Sequence, residues 1–470
     1  MIATLSIERP AASDRAAIED ALTRARRLGR PALCTRVERL PLKPDPLAFL
    51  AASSRALGGG ILWEQPAAGL AFSGAGSAFA LQADGPGRFG EISSSLRNLS
   101  EFLVRDDAGA RFPIVGGFSF GVGEARSQLW SNFPDARLVV PRVLLQIDGN
   151  DALVRVTLHV GPESSAAEVD GAMRYLFDQA QKWAEWPLDG APCGTEVFTE
   201  SHPHHGAWEL EVATAVSLIR QNMLDKVVLA REERLHAMGA ISPVSTLARL
   251  RILDADTTLF AMQSDRDWFI GATPERLVRL EDGRVDVTCL AGSIGVGRSL
   301  QEQALLAARL LDSAKDREEH EIVVRSTMRA LEEMCEDVTR LSGTPRVVAA
   351  RTVQHLETPI SARLCSAGQI LDLVERLHPT PAVGGYPRDI ALTVIRELEE
   401  IDRGWYAGPF GWTTPDGSGE FAVAIRSALL SGRTASLFAG CGIMADSDPA
   451  AEYEETRLKL RPMLTALGAA

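Results

Sequence analysis

The sequence is poor in cysteine, and the few cysteines present do not suggest a disulfide framework. Six cysteines are scattered through 470 residues, and no two of them form a Cys-x-x-Cys pair. So little cysteine in a chain of this length is typical of reduced, mostly buried thiols in the cytosol. We therefore expect a cytoplasmic protein whose stability comes from its core rather than from cross-links.

Long apolar runs and a surplus of positive charge are also missing. No run reaches the roughly 18 apolar residues that a membrane span needs, and the charged first 22 residues lack the apolar core of a secretory signal. The chain has 49 basic and 62 acidic residues, a formal net charge of −13, whereas nucleic-acid binders usually carry a basic surplus. We expect neither a membrane nor a nucleic acid as partner. Local clusters of Arg and Lys still allow an acidic substrate.

What is present is the composition and pattern of a globular α+β protein. Hydrophobic residues make up 46% of the chain and charged residues 24%. Short β-like runs alternate with isolated helices without a strict βαβ rhythm, which favours α+β over a doubly wound sheet. Residues 185–206 are rich in Pro, Gly and polar side chains, so we interpret them as a linker or long surface loop. This break separates residues 1–195, where no motif indicates a chemistry, from residues 205–470.

Apolar periodicity and end signals predict several helices. The predicted helices are 16–28, 166–184, 208–222, 300–311, 313–334 and 449–467. The runs EFAVAIRSALL and TASLFAGCGIM are predicted to be two strands that form a hairpin around residues 431–433. The run LHPTPAVGGYP is predicted to be a rigid loop because it contains three prolines and two glycines.

The last predicted helix carries charged side chains along one face. Glu452, Glu455 and Lys459 follow at positions i, i+3 and i+7, so they share that face. A solvated surface with i, i+4 ion pairs explains this pattern as well as a site does. Gly440 and Gly442 lie shortly before the helix, where the backbone could come close to a ligand.

The helix predicted over residues 313–334 offers a second set of acidic side chains. Glu319 lies one turn before the apolar Val323 and can border the core, although a surface glutamate is an equally simple reading. Carboxylates from two helices, without His or Cys ligands nearby, would suit a hard cation such as Mg²⁺. His320 is expected to pack within the helix environment rather than to bind metal.

Three further titratable residues stand in strand contexts. Lys226 opens the run KVVLAR and shares a face with apolar residues, so it is either a buried amine or a strand-end lysine that extends to water. Glu275 follows a strand in GATPERL and is either an exposed turn residue or a site carboxyl. Arg426 lies among apolar residues in AVAIRSALL, where an arginine usually needs an anionic partner.

Taken together and in order, the motifs of residues 205–470 closely resemble the chorismate-utilising enzyme family. The runs that carry the resemblance are KVVLARE, GATPERL, LAGS, SAKDREEHEIVV, VQHLETPI, LHPTPAVGGYP, WYAGPFGW, GEFAVAIRSALL, LFAGCGIMADSDP and EYEETRLKL. Within the family they are most similar to the isochorismate synthases of menaquinone and siderophore pathways. The resemblance implies an α+β fold of two large, mainly antiparallel sheets in a sandwich with helices outside. Residues 1–195 would contribute a variable subdomain to that fold, and residues 205–470 would form the catalytic region.

The resemblance also implies a role for each matching residue. Lys226 would be the general base that activates water for attack at C2 of chorismate, and Glu275 the general acid that protonates the leaving C4 hydroxyl. Glu319 and Glu455 would bind Mg²⁺, with Glu452 holding its water shell. The positions that would contact substrate are Arg426, Lys459, His355, Gly292, Ser293, Ala382, Gly440 and Gly442.

The implied reaction is the Mg²⁺-dependent, reversible isomerisation of chorismate to isochorismate, with no obligate protein partner. Salicylate synthase, which releases pyruvate, is the nearest alternative, and a catalytically inactive ligand-binding homologue is another. Aminodeoxychorismate synthases carry a lysine where this chain has Ala291, and anthranilate synthases usually lack the lysine at position 226. The chain departs from the common pattern at residues 294–297 and at Cys441.

Overall fold

The computed structural model describes residues 13–107, 109–122, 127–188, 197–349, 353–365 and 368–469. Helices in these ranges start and end largely where local signals predict. For example, Ser165 and Glu168 form a capping box before a helix whose buried face includes Met173 and Ala180. The helices are α1 (Ser13–Leu28), α2 (Pro46–Leu57), α3 (Arg88–Leu99), α4 (Ala166–Ala184), α5 (His205–Arg220), α6 (Pro243–Leu253), α7 (Leu300–Asp312), α8 (Ala314–Glu332), α9 (Ile370–Leu377), α10 (Arg388–Leu398) and α11 (Pro449–Leu467).

The strands are rich in β-branched and aromatic residues and form two sheets. They are β1 (Ala32–Arg39), β2 (Ile61–Gln65), β3 (Leu70–Ala83), β4 (Leu103–Asp106), β5 (Ile114–Phe118), β6 (Ala136–Asp148), β7 (Asp151–Val160), β8 (Val197–His202), β9 (Lys226–Ala237), β10 (Thr258–Ser264), β11 (Asp267–Thr273), β12 (Arg276–Glu281), β13 (Arg284–Gly295), β14 (Cys335–Arg340), β15 (Arg346–Ala349), β16 (Val353–Leu364), β17 (Gly385–Tyr386), β18 (Pro409–Thr413), β19 (Gly419–Val423), β20 (Ser427–Ser431) and β21 (Thr434–Ile443).

The long strand β6 belongs to both sheets. The first sheet runs β4-β1-β7-β6-β3-β2-β10-β11-β20-β21-β9, and both β8 and β17 pair with the far edge of β9. The second sheet runs β6-β5-β18-β19-β12-β13-β16, with β14 and β15 on the far edge of β16. Apart from β1 with β4, all these pairings are antiparallel.

Aromatic side chains fill the space between the two sheets. Phe72 on β3 meets Trp412 on β18 with ring centroids 5.2 Å apart, and Phe260 on β10 stacks on Phe410 of β18 at 4.9 Å. The outer faces of the first sheet are covered by α1, α2 and α4 at one end and by α6 and α11 at the other. This arrangement confirms the predicted α+β fold, with two mainly antiparallel sheets in a sandwich and helices outside.

The predicted boundary between the two halves is crossed by strand pairing. β2 pairs with β10 and β5 pairs with β18, so the first 195 residues supply strands to both sheets. The division into a subdomain and a catalytic region therefore stays a prediction. The interpretation of residues 185–206 as linker or loop is wrong in part, because residues 197–202 form β8 against β9. Residues 189–196 of that segment, with Cys193, lie outside the described residues.

The prediction of a single strand for EFAVAIRSALL is also wrong, because this run forms two strands that lie in different sheets. β19 pairs with β12 in the second sheet, and β20 pairs with β11 in the first. The chain passes between the sheets at Arg426, whose φ of 53° is in the left-handed region. The predicted hairpin is confirmed in its second part, where β20 pairs with β21. Of the five described cysteines, all of which are free thiols, four are buried and Cys365 is exposed; the buried ones are Cys34, Cys289, Cys335 and Cys441.

Candidate active site

One cleft collects most of the residues that the sequence analysis singled out. Its empty volume is about 750 Å³, and its walls come from both sheets, α8 and α11. The predicted site residues that line it are Glu275, Gly292, Ser293, Glu319, His355, Ala382, Arg426, Gly440, Gly442, Glu455 and Lys459. Lys226 and Glu452 are not part of the lining and lie directly behind it.

Lys226 is a buried amine rather than a lysine that extends to water. It is the first residue of β9, and its Nζ lies 2.8 Å from Oε1 of Glu319 on α8. The side chain is 1% exposed. Gly442 on the neighbouring β21 makes room for this pair, because a Cβ there would stand 2.4 Å from Glu319 Oε1 and 2.8 Å from Lys226 Cε.

The ion pair keeps Glu319 charged. Burial by itself would raise the pKa of Glu319, but Lys226, Lys459 and Lys315 outweigh it and hold that pKa below its ordinary value. The side chain of Glu319 is 14% exposed, and it forms the wall between Lys226 and the open cleft. It is therefore not the plain surface glutamate that the helix pattern also allowed.

Glu275 is buried, which excludes the exposed-turn alternative. It lies in the turn between β11 and β12, where its backbone N–H donates to Thr273 Oγ1 at 3.2 Å and its carbonyl accepts from Val423 at 3.0 Å. Burial raises the pKa of its carboxyl to about 7, against the opposing effects of Lys226, Lys459 and Arg426. A carboxyl of this kind is partly protonated near neutral pH and can donate a proton there.

The charged face of α11 is divided between the cleft and the protein interior. Asp448 caps the helix as predicted, with Oδ1 accepting from Ala451 at 2.9 Å. Lys459 lies 2.7 Å from Glu455 as an i, i+4 pair, and its Nζ donates to the Gly440 carbonyl at 2.9 Å. Burial would lower the pKa of Lys459, but Glu455 outweighs it and raises that pKa above its ordinary value. The expected i, i+4 pairing is thus present, but it faces the cleft.

Glu452 points away from the cleft lining. Its Oε1 accepts from Ser447 Oγ at 2.7 Å and from Lys315 Nζ at 3.1 Å. Burial, followed by the nearby Glu455, raises the pKa of Glu452. Glu452 therefore adds negative charge next to Glu455 but does not contact the open space of the cleft.

Arg426 presents a cation to the cleft from the crossing between the two sheets. Burial lowers the pKa of its guanidinium, and Nη1 is a buried nitrogen without a hydrogen-bond partner in the part of the chain that the structure describes. An unpaired, buried guanidinium nitrogen is costly unless an anion binds it. The arrangement therefore suits a carboxylate ligand.

The part of the lining that β13 and β16 supply is neutral. His355 on β16 lies 2.9 Å from Ser293 Oγ through Nδ1, and burial followed by Arg426 and Lys459 lowers its pKa to about 3. Gly292 has a φ of 73° at a bulge in β13, where a Cβ would stand 3.1 Å from Asp316 Cβ. Burial raises the pKa of the Cys441 thiol well above its ordinary value, so this departure from the common pattern adds no charge.

The carboxylates near the cleft fit a divalent cation in chemical type. Among the described residues, no three His, Cys, Asp or Glu side chains stand together at ligand spacing. Glu319 and Glu455 nevertheless border one space, and after burial their negative charges contribute to raising the pKa of Asp316. Oxygen donors in an acidic region are what Mg²⁺ prefers. A cation there would have to compete with Lys226 and Lys459 for the two carboxylates.

Two lining residues with a charged or hydroxyl side chain, Tyr406 and Arg403, were not predicted from the sequence. Tyr406 lies close to Gly440, where an added Cβ would be 3.3 Å from the phenol oxygen, and burial raises its pKa to about 12. Arg403 contributes to the same wall. The run GWYAGPFG, a turn-rich segment with an aromatic polar residue, was the available signal. His320 has the expected packing role, with Nε2 2.7 Å from Thr358 Oγ1.

Residues 20–468 match the family described as chorismate binding enzyme, and the chain belongs to that family. Its fold agrees with this membership. No helix among the described residues has the length and apolarity to cross a membrane.

Relatives of this chain within the family bear the names of isochorismate synthases. The chain is 41% identical over 461 residues to the salicylate biosynthesis isochorismate synthase of Pseudomonas aeruginosa, covering 97% of this chain and 94% of that protein. It is 35% identical to isochorismate synthase MenF of Bacillus subtilis, covering 90% and 91%. The solved structure of MenF, the menaquinone-specific isochorismate synthase of Escherichia coli, superposes with a TM-score of 0.78 at 28% identity, covering 97% and 100%.

Proposed function

We propose that this chain is an isochorismate synthase, which interconverts chorismate and isochorismate. The observation that carries the proposal is a buried carboxyl, Glu275, with a pKa raised to about 7, in the cleft that Arg426, Lys459 and Glu319 also line. Lys226 lies directly behind Glu319, 2.8 Å from it, so the acid and the carboxylate-binding groups face the cleft and the base borders it. The names of the relatives support the same reaction.

The forward reaction starts from neutral Lys226, released from its ion pair with Glu319, as the base and from protonated Glu275 as the acid. As the oxygen of a water molecule bonds to C2, Lys226 takes a proton from it, the ring double bonds shift, and the C4–O bond breaks. Glu275 gives its proton to the departing hydroxyl, which leaves as water. Lys226 ends protonated and Glu275 ends ionised, so the reverse reaction uses the same pair with exchanged roles. No covalent intermediate with the protein is needed.

Substrate binding is assigned to the cations and to the neutral wall. Chorismate has two carboxylates. Arg426 Nη1, which has no hydrogen-bond partner among the described residues, and Lys459 offer positive charge to them. Neutral His355 with Ser293, and the small residues Gly440 and Ala382, leave space and hydrogen-bonding groups for the ring substituents. Tyr406 adds a phenol to the same space.

Mg²⁺ would be held by Glu319 and Glu455, with Glu452 behind them. A bound Mg²⁺ would supply a strong positive charge that binds and orients a substrate carboxylate. What this chain itself contributes is the acidic donor set and the two lysines that neutralise it.

The test is to incubate the purified protein with chorismate and Mg²⁺ and to identify the products by chromatography and NMR. Isochorismate without pyruvate supports the proposal, and salicylate with pyruvate supports the salicylate synthase alternative. Absence of turnover, with chorismate still bound, would indicate the inactive ligand-binding homologue.

The Mg²⁺ assignment predicts that EDTA abolishes turnover. It also predicts that Glu455→Gln weakens Mg²⁺ binding and so raises the Mg²⁺ concentration needed for half-maximal turnover. Glu454→Gln is the matched control, because Glu454 is 61% exposed and pairs with Arg457.

A further inference from the structure

The strand that carries Lys226 has a gap in its pairing. On the side away from β21, β17 pairs with β9 at Lys226 and Val227, and β8 pairs with it from Glu232 onward. Between these two short strands, residues 228–231 have no strand neighbour on that edge within the described part of the chain. Backbone groups at the edge of a sheet need partners when they are buried.

Two side chains and one carbonyl fill the gap. The Val228 carbonyl accepts from Arg403 Nη2 at 2.8 Å, and the Ala230 N–H donates to Glu399 Oε1 at 2.8 Å. The Val228 N–H donates to the Gly384 carbonyl at 2.9 Å. Because residues two apart direct their backbone groups to the same edge, these are the groups that a neighbouring strand would bind.

Arg403 and Glu399 are held rigidly enough to serve as a strand substitute. Their side chains are 4% and 2% exposed, and Arg403 Nε donates to Glu399 Oε2 at 2.8 Å. The guanidinium also donates from Nη1 to the Val383 carbonyl at 2.9 Å and lies 4.2 Å from the ring centre of Phe120. The planar, forked guanidinium can bind a carboxylate and two carbonyls at once, which a lysine cannot do.

The same arginine connects three walls of the cleft. Val228 and Val383 both line the cleft, and the Arg403 carbonyl accepts from Tyr406 N–H at 2.8 Å in the turn that presents the phenol. We propose that Arg403 and Glu399 are positioning residues that fix the strand of Lys226 against residues 380–384 and the Tyr406 turn. The catalytic part of this inference rests on the proposed function of Lys226.

The first test uses hydrogen exchange of the protein to measure whether Arg403 and Glu399 hold the strand of Lys226. Arg403→Lys keeps the charge but loses the fork, so amides of residues 226–231 should exchange at least about tenfold faster than in the wild type. The matched control is Arg155→Lys, which alters another buried pair, to Asp107 at 2.9 Å, with side chains 2% and 6% exposed. That control should leave exchange of residues 226–231 unchanged. Equal exchange of this segment in wild type and Arg403→Lys would refute the proposal that Arg403 and Glu399 hold the strand.

The second test measures its consequence for turnover. For Arg403→Lys, kcat for isochorismate formation should fall about 10- to 100-fold with a small change in KM, because a misplaced base slows chemistry more than binding. Arg155→Lys, compared at equal folded fraction, should keep kcat within about twofold. Glu399→Gln, which retains the oxygen that accepts from Ala230, should lose less than Arg403→Lys. Faster exchange with unchanged kcat would overturn the positioning role. A wild type that does not convert chorismate would refute the proposed function. Hydrogen exchange would then still test whether Arg403 and Glu399 hold the strand.

Discussion

Glu275 carries its carboxyl group in an environment unlike that of a surface side chain. It is 7% exposed, and burial raises its pKa to about 7. A general acid must be protonated to act, so turnover should decline as the pH rises above about 7.

Glu275→Gln keeps the size of the side chain but cannot donate this proton, and kcat should fall about 10²- to 10⁴-fold. A pH–rate profile checks both points, and full activity of the Gln variant would refute the role of Glu275.

Because Lys226 and Glu319 form a buried ion pair, substitutions at the two positions should have non-additive effects on the free energy of unfolding. Lys226→Met leaves Glu319 without its nearest cation, which for a buried pair costs about 3–5 kcal/mol. We expect the lower end of that range, because Lys459 and Lys315 still act on Glu319. Adding Glu319→Gln to Lys226→Met should recover most of the loss. Urea unfolding of the two single variants and the double variant measures this coupling, and strict additivity would contradict it.

At the residue scale, the sequence alone left each alternative open. The local pattern around Lys226, Glu275 and Glu455 allowed a strand-end lysine, a turn glutamate and a salt-bridged surface. Burial decides among these alternatives, and it depends on which distant elements pack nearby. Only the order of the motifs pointed to a shared cleft.

At the level of elements, β21 has a glycine where β9 and α8 bring Lys226 and Glu319 together. Gly442→Ala should displace that pair, because the new Cβ would stand 2.4 Å from Glu319 Oε1. We expect kcat to fall by at least about tenfold. Gly171→Ala in α4 is the control, since nothing lies within 4 Å of its added Cβ, and it should stabilise the protein by about 0.5–1 kcal/mol without altering turnover. Steady-state kinetics and thermal melting of both variants test this contrast, and an unimpaired Gly442→Ala enzyme would contradict it.

Local signals predicted some elements well, whereas elements set by distant contacts were not predicted. The helix predicted over residues 166–184 has the observed bounds of α4, and Asp448 with Pro449 marked the start of α11. The strand break at Arg426 carried no such signal, because apolar residues flank it on both sides. The short α9 and α10 were also missed, since their runs are brief and adjoin a proline-rich loop. The prediction missed α2, α3 and α6 as well, although the N-caps Asp45 and Ser242 mark the starts of α2 and α6.

At the scale of the whole molecule, buried acids link stability to pH. Glu211 on α5 is 8% exposed, its Oε2 has no hydrogen-bond partner within the described ranges, and burial followed by Glu399 and Glu400 raises its pKa to about 8. Because this pKa is higher in the folded state, the resulting stability is complete below the unfolded pKa of about 4.5 and is lost as the pH rises through 8. Glu211→Gln should therefore be more stable than the wild type at pH 9, by about 1–3 kcal/mol. Urea unfolding at pH 5 and pH 9 checks this, and a gain that does not grow with pH would contradict it.

The sandwich as a whole was anticipated as a fold class but not in its connections. Alternating strands and isolated helices indicated α+β, and the family resemblance indicated two sheets. That β6 belongs to both sheets, and that β5 pairs with β18, depends on contacts between residues far apart in the chain. Such pairing leaves no short-range pattern, so the boundary near residue 195 was drawn through a structure whose strands cross it.

The central claim is that this cleft adds water to C2 of chorismate while C4 loses its hydroxyl. The most direct measurement is a short incubation of the protein with chorismate and Mg²⁺ in ¹⁸O-labelled water, followed by mass spectrometry and NMR of the product. We expect isochorismate with one ¹⁸O in the C2 hydroxyl, formed at a rate that falls strongly in Lys226→Ala. Isochorismate without the label, or labelled product formed equally fast by Lys226→Ala, would contradict it.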